Sequence, residues 1–151
     1  MIAQLYTAYL GELYGIVFFK TFAEKYSDDS HNDKWQTLIK VEELTAKRLK
    51  TGLEALGHPC ADYDQVMAEK GLADAEKWLS LPWKELVDTM VPWVAPYQQR
   101  YQQQANEATE HQALFILVAD HENAIYDYLL AEQRGDKNAL NVLDTFINKY
   151  I

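Results

Sequence analysis

Apolar residues recur along this chain at alternating steps of three and four, the spacing of helices with one buried face. From Ile2 to Tyr26 the stripe reads Leu5, Tyr9, Glu12, Ile16, Phe19, Ala23 and Tyr26, with Glu12 at its centre. A second stripe, from about Lys34 to Leu56, reads Trp35, Leu38, Ile39, Glu42, Ala46, Leu49 and Leu53. Glu42 is again central, and Glu43 turns about 100° aside. Gly57 and Pro59 end this helix. A third helix, about Trp83 to Gln104, turns Trp83, Val87, Met90, Val94, Tyr97 and Tyr101 inward and points Glu85 and Asp88 away. Pro92 and Pro96 lie inside it, each costing roughly 3 kcal/mol in an unadapted helix, so a kink or break is expected there.

The fourth stretch, Thr109 to Gly135, is long enough for about seven turns. Its stripe is Leu114, Leu117, Val118, Ile125 and Tyr128, and His121 falls in the middle. Thr109 and Gln112 suit a capping box, Gly135 a C-terminal stop, and Asp136 a fresh cap. Leu140, Leu143, Phe146, Ile147 and Tyr150 then predict a short terminal helix.

The connections are uneven. Ser27 to Asp33 is a polar turn in which Asp33 suits a cap for the second helix. His58 to Ser80 is long, with room for one or two small helices, and suits a crossover between parallel helices. Ser80, Leu81 and Pro82 suit a helix start. Ala105 to Ala108 is short, which makes the third and fourth helices antiparallel. No stretch reads as a strand, repeat or low-complexity tract. The expectation is a single all-α domain over residues 1–151.

Composition narrows the function. A chain of 151 residues with 48% hydrophobic content suits one folded domain. Its net charge of −9 argues against nucleic acid and anionic membranes, which need clustered Lys and Arg. The apolar N-terminal stretch lacks a basic n-region and is interrupted by Glu12, so it reads as an amphipathic helix. Cys60 is the one cysteine, which excludes an internal disulfide and a cysteine zinc cluster and makes a cytoplasmic setting the expectation. Lys47, Arg48 and Lys50 read as a solvated face. His31, His58 and His111 read as solvated groups at turns or helix ends, Glu122 as a flank acid and Cys60 as a bystander thiol. Nucleotide-loop, nucleophile-elbow and H-E-x-x-H patterns are absent.

What remains is a constellation. Glu12, Glu42 and His121 each stand at the midpoint of an otherwise apolar face. Burying such groups unpaired costs several kcal/mol each, so they should meet one another, a metal or buried water. Two carboxylates and an imidazole suit a first-row divalent metal. They equally suit a hydrogen-bonded cluster completed by Thr45, Tyr9, Tyr97 or Tyr128.

With mid-helix Glu12 and Glu42, four long helices and a long second connection, the chain resembles the ferritin-like superfamily, which includes rubrerythrins and di-iron carboxylate enzymes. HENAIYDYLLAEQRGD is also similar to the last bundle helix of small bacterial ferritin-like proteins. The resemblance implies an up-down-down-up four-helix bundle with a short C-terminal helix, as a monomer or homodimer and not a cage. In di-iron members the first and third helices each give a Glu, and the second and fourth each give Glu-x-x-His. Glu12, Glu42 and His121 match three of those positions. Thr45 stands where the second-helix histidine belongs, Val118 where the fourth-helix Glu belongs, and Met90, Val91 and Pro92 where the third-helix Glu belongs. The resemblance thus implies a degenerate metal site, for iron or manganese, in a binding or interaction module whose small-molecule ligand the sequence does not name. The alternative is an iron- or manganese-dependent oxidoreductase with an irregular ligand set.

Overall fold

A computed structural model describes residues 1–151. Its helices are α1 (Ile2–Lys25), α2 (Asn32–Ala55), α3 (Gln65–Glu76), α4 (Trp83–Glu107), α5 (Gln112–Gln133) and α6 (Leu140–Tyr150), and a single 3-10 turn, Asp29–His31, precedes α2. The protein is all-α, with no strand. No helix is long and apolar enough to cross a membrane. The chain divides into two compact units, Met1–Ser80 and Leu81–Ile151.

In the first unit α1 packs against both α2 and α3. One stripe is therefore too narrow: Ala8, Leu13, Phe18 and Phe22 are buried along with Leu5, Tyr9, Glu12 and Phe19. Asp28, not Asp33, organises the turn into α2, accepting from the Ser30 amide at 3.0 Å and the Ser30 hydroxyl at 2.6 Å. Past the turn, Trp35 stacks on Phe22 with ring centroids 4.7 Å apart and meets Tyr26 edge-on at 5.7 Å.

α2 ends at Ala55, and the chain turns away at Gly57, whose φ of +84° is open to glycine and strained for other residues. The chain then crosses back over α1 and α2, held by the Tyr9 hydroxyl donating to the Ala61 carbonyl at 2.7 Å and by a Lys50–Asp62 ion pair. The long connection carries one helix, α3, whose N-cap Asp64 accepts from the Met67 amide at 2.9 Å. At Gly71, α3 comes so near α1 that a Cβ would stand 2.7 Å from the Tyr14 carbonyl oxygen. The Tyr14 hydroxyl, donating to Asp74 at 2.7 Å, ties the same pair of helices.

In the second unit α5 packs against α4 and α6. α4 runs without a break through Pro92 and Pro96, where the sequence predicts a kink or break. Both prolines and Asp88 lie on the solvent side, so water can take the carbonyls that the missing N–H groups leave. The inward face of α4 is Leu86, Val87, Met90, Val94 and Tyr101. Tyr97, expected inward, is 40% exposed, with Arg100 over its ring.

α5 begins two residues later than the capping-box pattern suggests. Its N-cap is His111, in the left-handed region at φ +55°, and the Gln112 side chain donates back through Nε2 to the Ala108 carbonyl at 3.0 Å. That bond closes the α4–α5 connection and leaves Thr109 exposed in the loop. The expected C-terminal stop is present: Gly135 adopts φ +74°, and the Gly135 and Asp136 amides donate to the Glu132 and Ala131 carbonyls. Asp136 then caps a turn through the Asn138 amide at 2.8 Å, one turn ahead of α6. α6 buries Leu143, Phe146 and Ile147 and is pinned to α5 at Asp120, which accepts from Lys149 Nζ at 2.9 Å and from the Tyr150 hydroxyl.

Three tyrosines make the fold sensitive to alkali. Burial raises the hydroxyl pKa of Tyr9, of Tyr26 and, most strongly, of Tyr150, where the Asp120 hydrogen bond adds to the effect. A folded-state pKa above the unfolded one means that the folded state holds its phenolic protons more tightly. The stabilisation is complete below the ordinary tyrosine value of about 10 and is lost as pH rises through the folded values. Urea unfolding followed from about pH 8 to about pH 11 should show stability falling above about pH 10, and Tyr150→Phe should flatten that decline. A flat profile in the wild type would contradict this account.

Candidate metal centre

Glu12 and Glu42 reach the interior because each occupies the core-facing position of its helix, and the turn through Asp28 lays α2 alongside α1. Their side chains are 3% and 5% exposed. A carboxylate oxygen of each lies within 4.8 Å of one of the other, a separation one bridging cation can span. Two carboxylates that close in a region of weak screening repel, and the arrangement favours a positive charge between them.

The backbone of α1 makes room for this pair at Gly15, which the sequence reading passed over. A Cβ on Gly15 would stand 2.5 Å from Cδ of Glu42 and 2.6 and 2.7 Å from its two oxygens. The carboxylate of Glu42 therefore lies directly against the main chain of α1, one turn beyond Glu12. An isolated glycine inside a helix, three residues after a central Glu, was the available signal. Thr45, one turn beyond Glu42 on α2, is fully buried.

His121 occupies the second unit, in the middle of α5, and is 1% exposed. Phe146 of α6 meets its ring edge-on, with centroids 5.9 Å apart, and Glu122 Oε1 lies 3.9 Å from Nε2. Glu122 is partly buried, so it is more closely held than an ordinary flank acid. No protein-family model, curated protein or solved structure matches the chain.

The hydroxyls nominated to complete a polar cluster are mostly committed elsewhere. Tyr9 donates to Ala61, Tyr128 donates to Glu132 at 2.9 Å, and Tyr97 is half-exposed. Of the four nominated, Thr45 is the one buried with its side chain on the Glu42 face of α2. Glu43, Glu85 and Lys47 are exposed, and His31, His58 and His111 sit at turns or helix ends and are partly exposed. Cys60 is buried, which pushes its thiol pKa up and away from reactivity.

Proposed function

We propose that this chain is a ferritin-like helical protein with a degenerate metal site, serving as a binding module for a single divalent ion of the iron or manganese class. The observation that carries the reading is the buried Glu12–Glu42 carboxylate pair. Glu12 and Glu42 are its carboxylate ligands. Two carboxylates offer hard oxygen donors suited to Mn(II) or Fe(II). A di-iron centre needs further Glu and His ligands. Thr45, Val118 and the Met90–Pro92 stretch hold no ligand at the remaining positions.

Metal analysis of protein purified from iron- and manganese-replete medium tests the reading, with about one ion per chain expected. Two irons per chain, with absorbance changes on exposure to oxygen, would replace it with an oxidoreductase. Absence of any metal, together with failure to take up added Mn(II), would reduce the pair to a hydrogen-bonded polar centre.

A further inference from the structure

We infer that Gly15 is a positioning residue for Glu42, the bare stretch of helix against which that carboxylate is held beside Glu12. The inference rests on the reading of Glu42 as a metal ligand only where metal affinity is concerned; the placement of the carboxylate stands on geometry alone. Glycine inside a helix costs stability relative to alanine, so a mid-helix glycine calls for a physical reason. α1 contains two glycines that differ sharply. At Gly11 a Cβ would meet nothing within 4 Å, and the residue faces solvent. At Gly15 a Cβ would fall within 2.7 Å of all three terminal atoms of Glu42. Real Cβ atoms do not approach that closely, so one of the two groups must move.

The group that moves is the carboxylate. It is the far end of a flexible side chain, whereas the new methyl is fixed to the backbone of α1. Gly15→Ala therefore pushes the Glu42 carboxylate off the position it shares with Glu12 and leaves the length and hydrogen bonding of α1 unchanged. Groups that merely orient a metal ligand typically change affinity by about 10- to 100-fold when altered. The same range is expected here.

The test uses the full chain and Mn(II) alone as probe. Gly15→Ala should weaken Mn(II) binding, measured calorimetrically, by roughly tenfold or more, while Gly11→Ala should leave it unchanged. In metal-free protein the ¹³C resonance of the Glu42 carboxyl, assigned by its loss in Glu42→Gln, should move in Gly15→Ala and stay in place in Gly11→Ala. An unmoved resonance would overturn the positioning role. A moved resonance in a protein whose wild type takes up no Mn(II) would sink the metal reading and leave the positioning role intact.

A stability cycle covers the case in which Gly15→Ala folds poorly. In a Glu42→Ala background the methyl has space, so Gly15→Ala should there be neutral or stabilising, as helix propensity dictates. Equal destabilisation in both backgrounds would show that the clash is not with Glu42 and would overturn the inference.

Discussion

Replacing Trp35 with alanine should cost the first unit about 3 to 5 kcal/mol, the range for removing a large buried aromatic. Trp35 stands at the first turn of α2 and is 2% exposed. Its ring stacks on Phe22, at 14° between planes, and meets Tyr26 edge-on. Phe22 in turn meets Phe18, and Phe18 meets Trp78 beyond α3, so the rings link three segments of the unit. Aromatic pairs add about 0.5 to 1.5 kcal/mol beyond area burial, which places the loss toward the upper part of the range. Tyr63→Ala is the matched control: its side chain is largely exposed and should change stability by no more than about 0.5 kcal/mol. Urea unfolding monitored by far-UV circular dichroism measures both. A loss below about 1.5 kcal/mol for Trp35→Ala would mean that this aromatic cluster is not the core of its unit.

The stripes that expose Trp35 to a sequence reader also mark out most of the helices. α2 is legible to within a few residues, because its face is one-sided: Leu38, Ile39, Leu49 and Leu53 alternate with Lys40, Lys47 and Arg48, which lie in water. α1 is legible as a helix but not in its packing. Phe18 and Phe22 fall outside the stripe through Leu5, Glu12 and Phe19, because a helix with neighbours on two sides buries two faces. α3 is left open by periodicity, being short and only lightly buried, although Asp64 with an amide to cap three residues later was a usable signal. Of the kink or break expected in α4, the break is absent, and both prolines face solvent. The capping box at Thr109 fails because Gln112 bonds backward to Ala108.

The site follows the same division. Periodicity alone puts Glu12, Glu42 and His121 on core faces, and each is buried. It says nothing of distances, and so does not register that the Tyr9 hydroxyl donates to Ala61 and the Tyr128 hydroxyl to Glu132. Nor does it register a residue whose contribution is a missing Cβ. Gly15 looks like a mild helix defect in the sequence and becomes informative once α2 lies against α1.

Changing Glu42 to Gln should separate a metal site from a purely polar one, because it keeps the side-chain shape and removes one charge. If Glu42 is a ligand, Mn(II) at about 100 times its dissociation constant stabilises the wild type by about 2.7 kcal/mol, and Glu42→Gln should lose most of that gain. Without metal the same substitution removes like-charge repulsion between carboxylates within 4.8 Å of each other. It also offers Glu12 an amide donor, so metal-free stability should hold or rise. Glu43→Gln, one position along α2 and exposed, should change neither quantity. Thermal melts of the three proteins, each with and without Mn(II), give the comparison. A hydrogen-bonded cluster that holds no metal behaves differently: Glu42→Gln alters stability to the same extent whether or not metal is added. Equal and negligible effects of Glu42→Gln and Glu43→Gln on the stabilisation by Mn(II) and on metal-free stability would remove Glu42 from any functional centre.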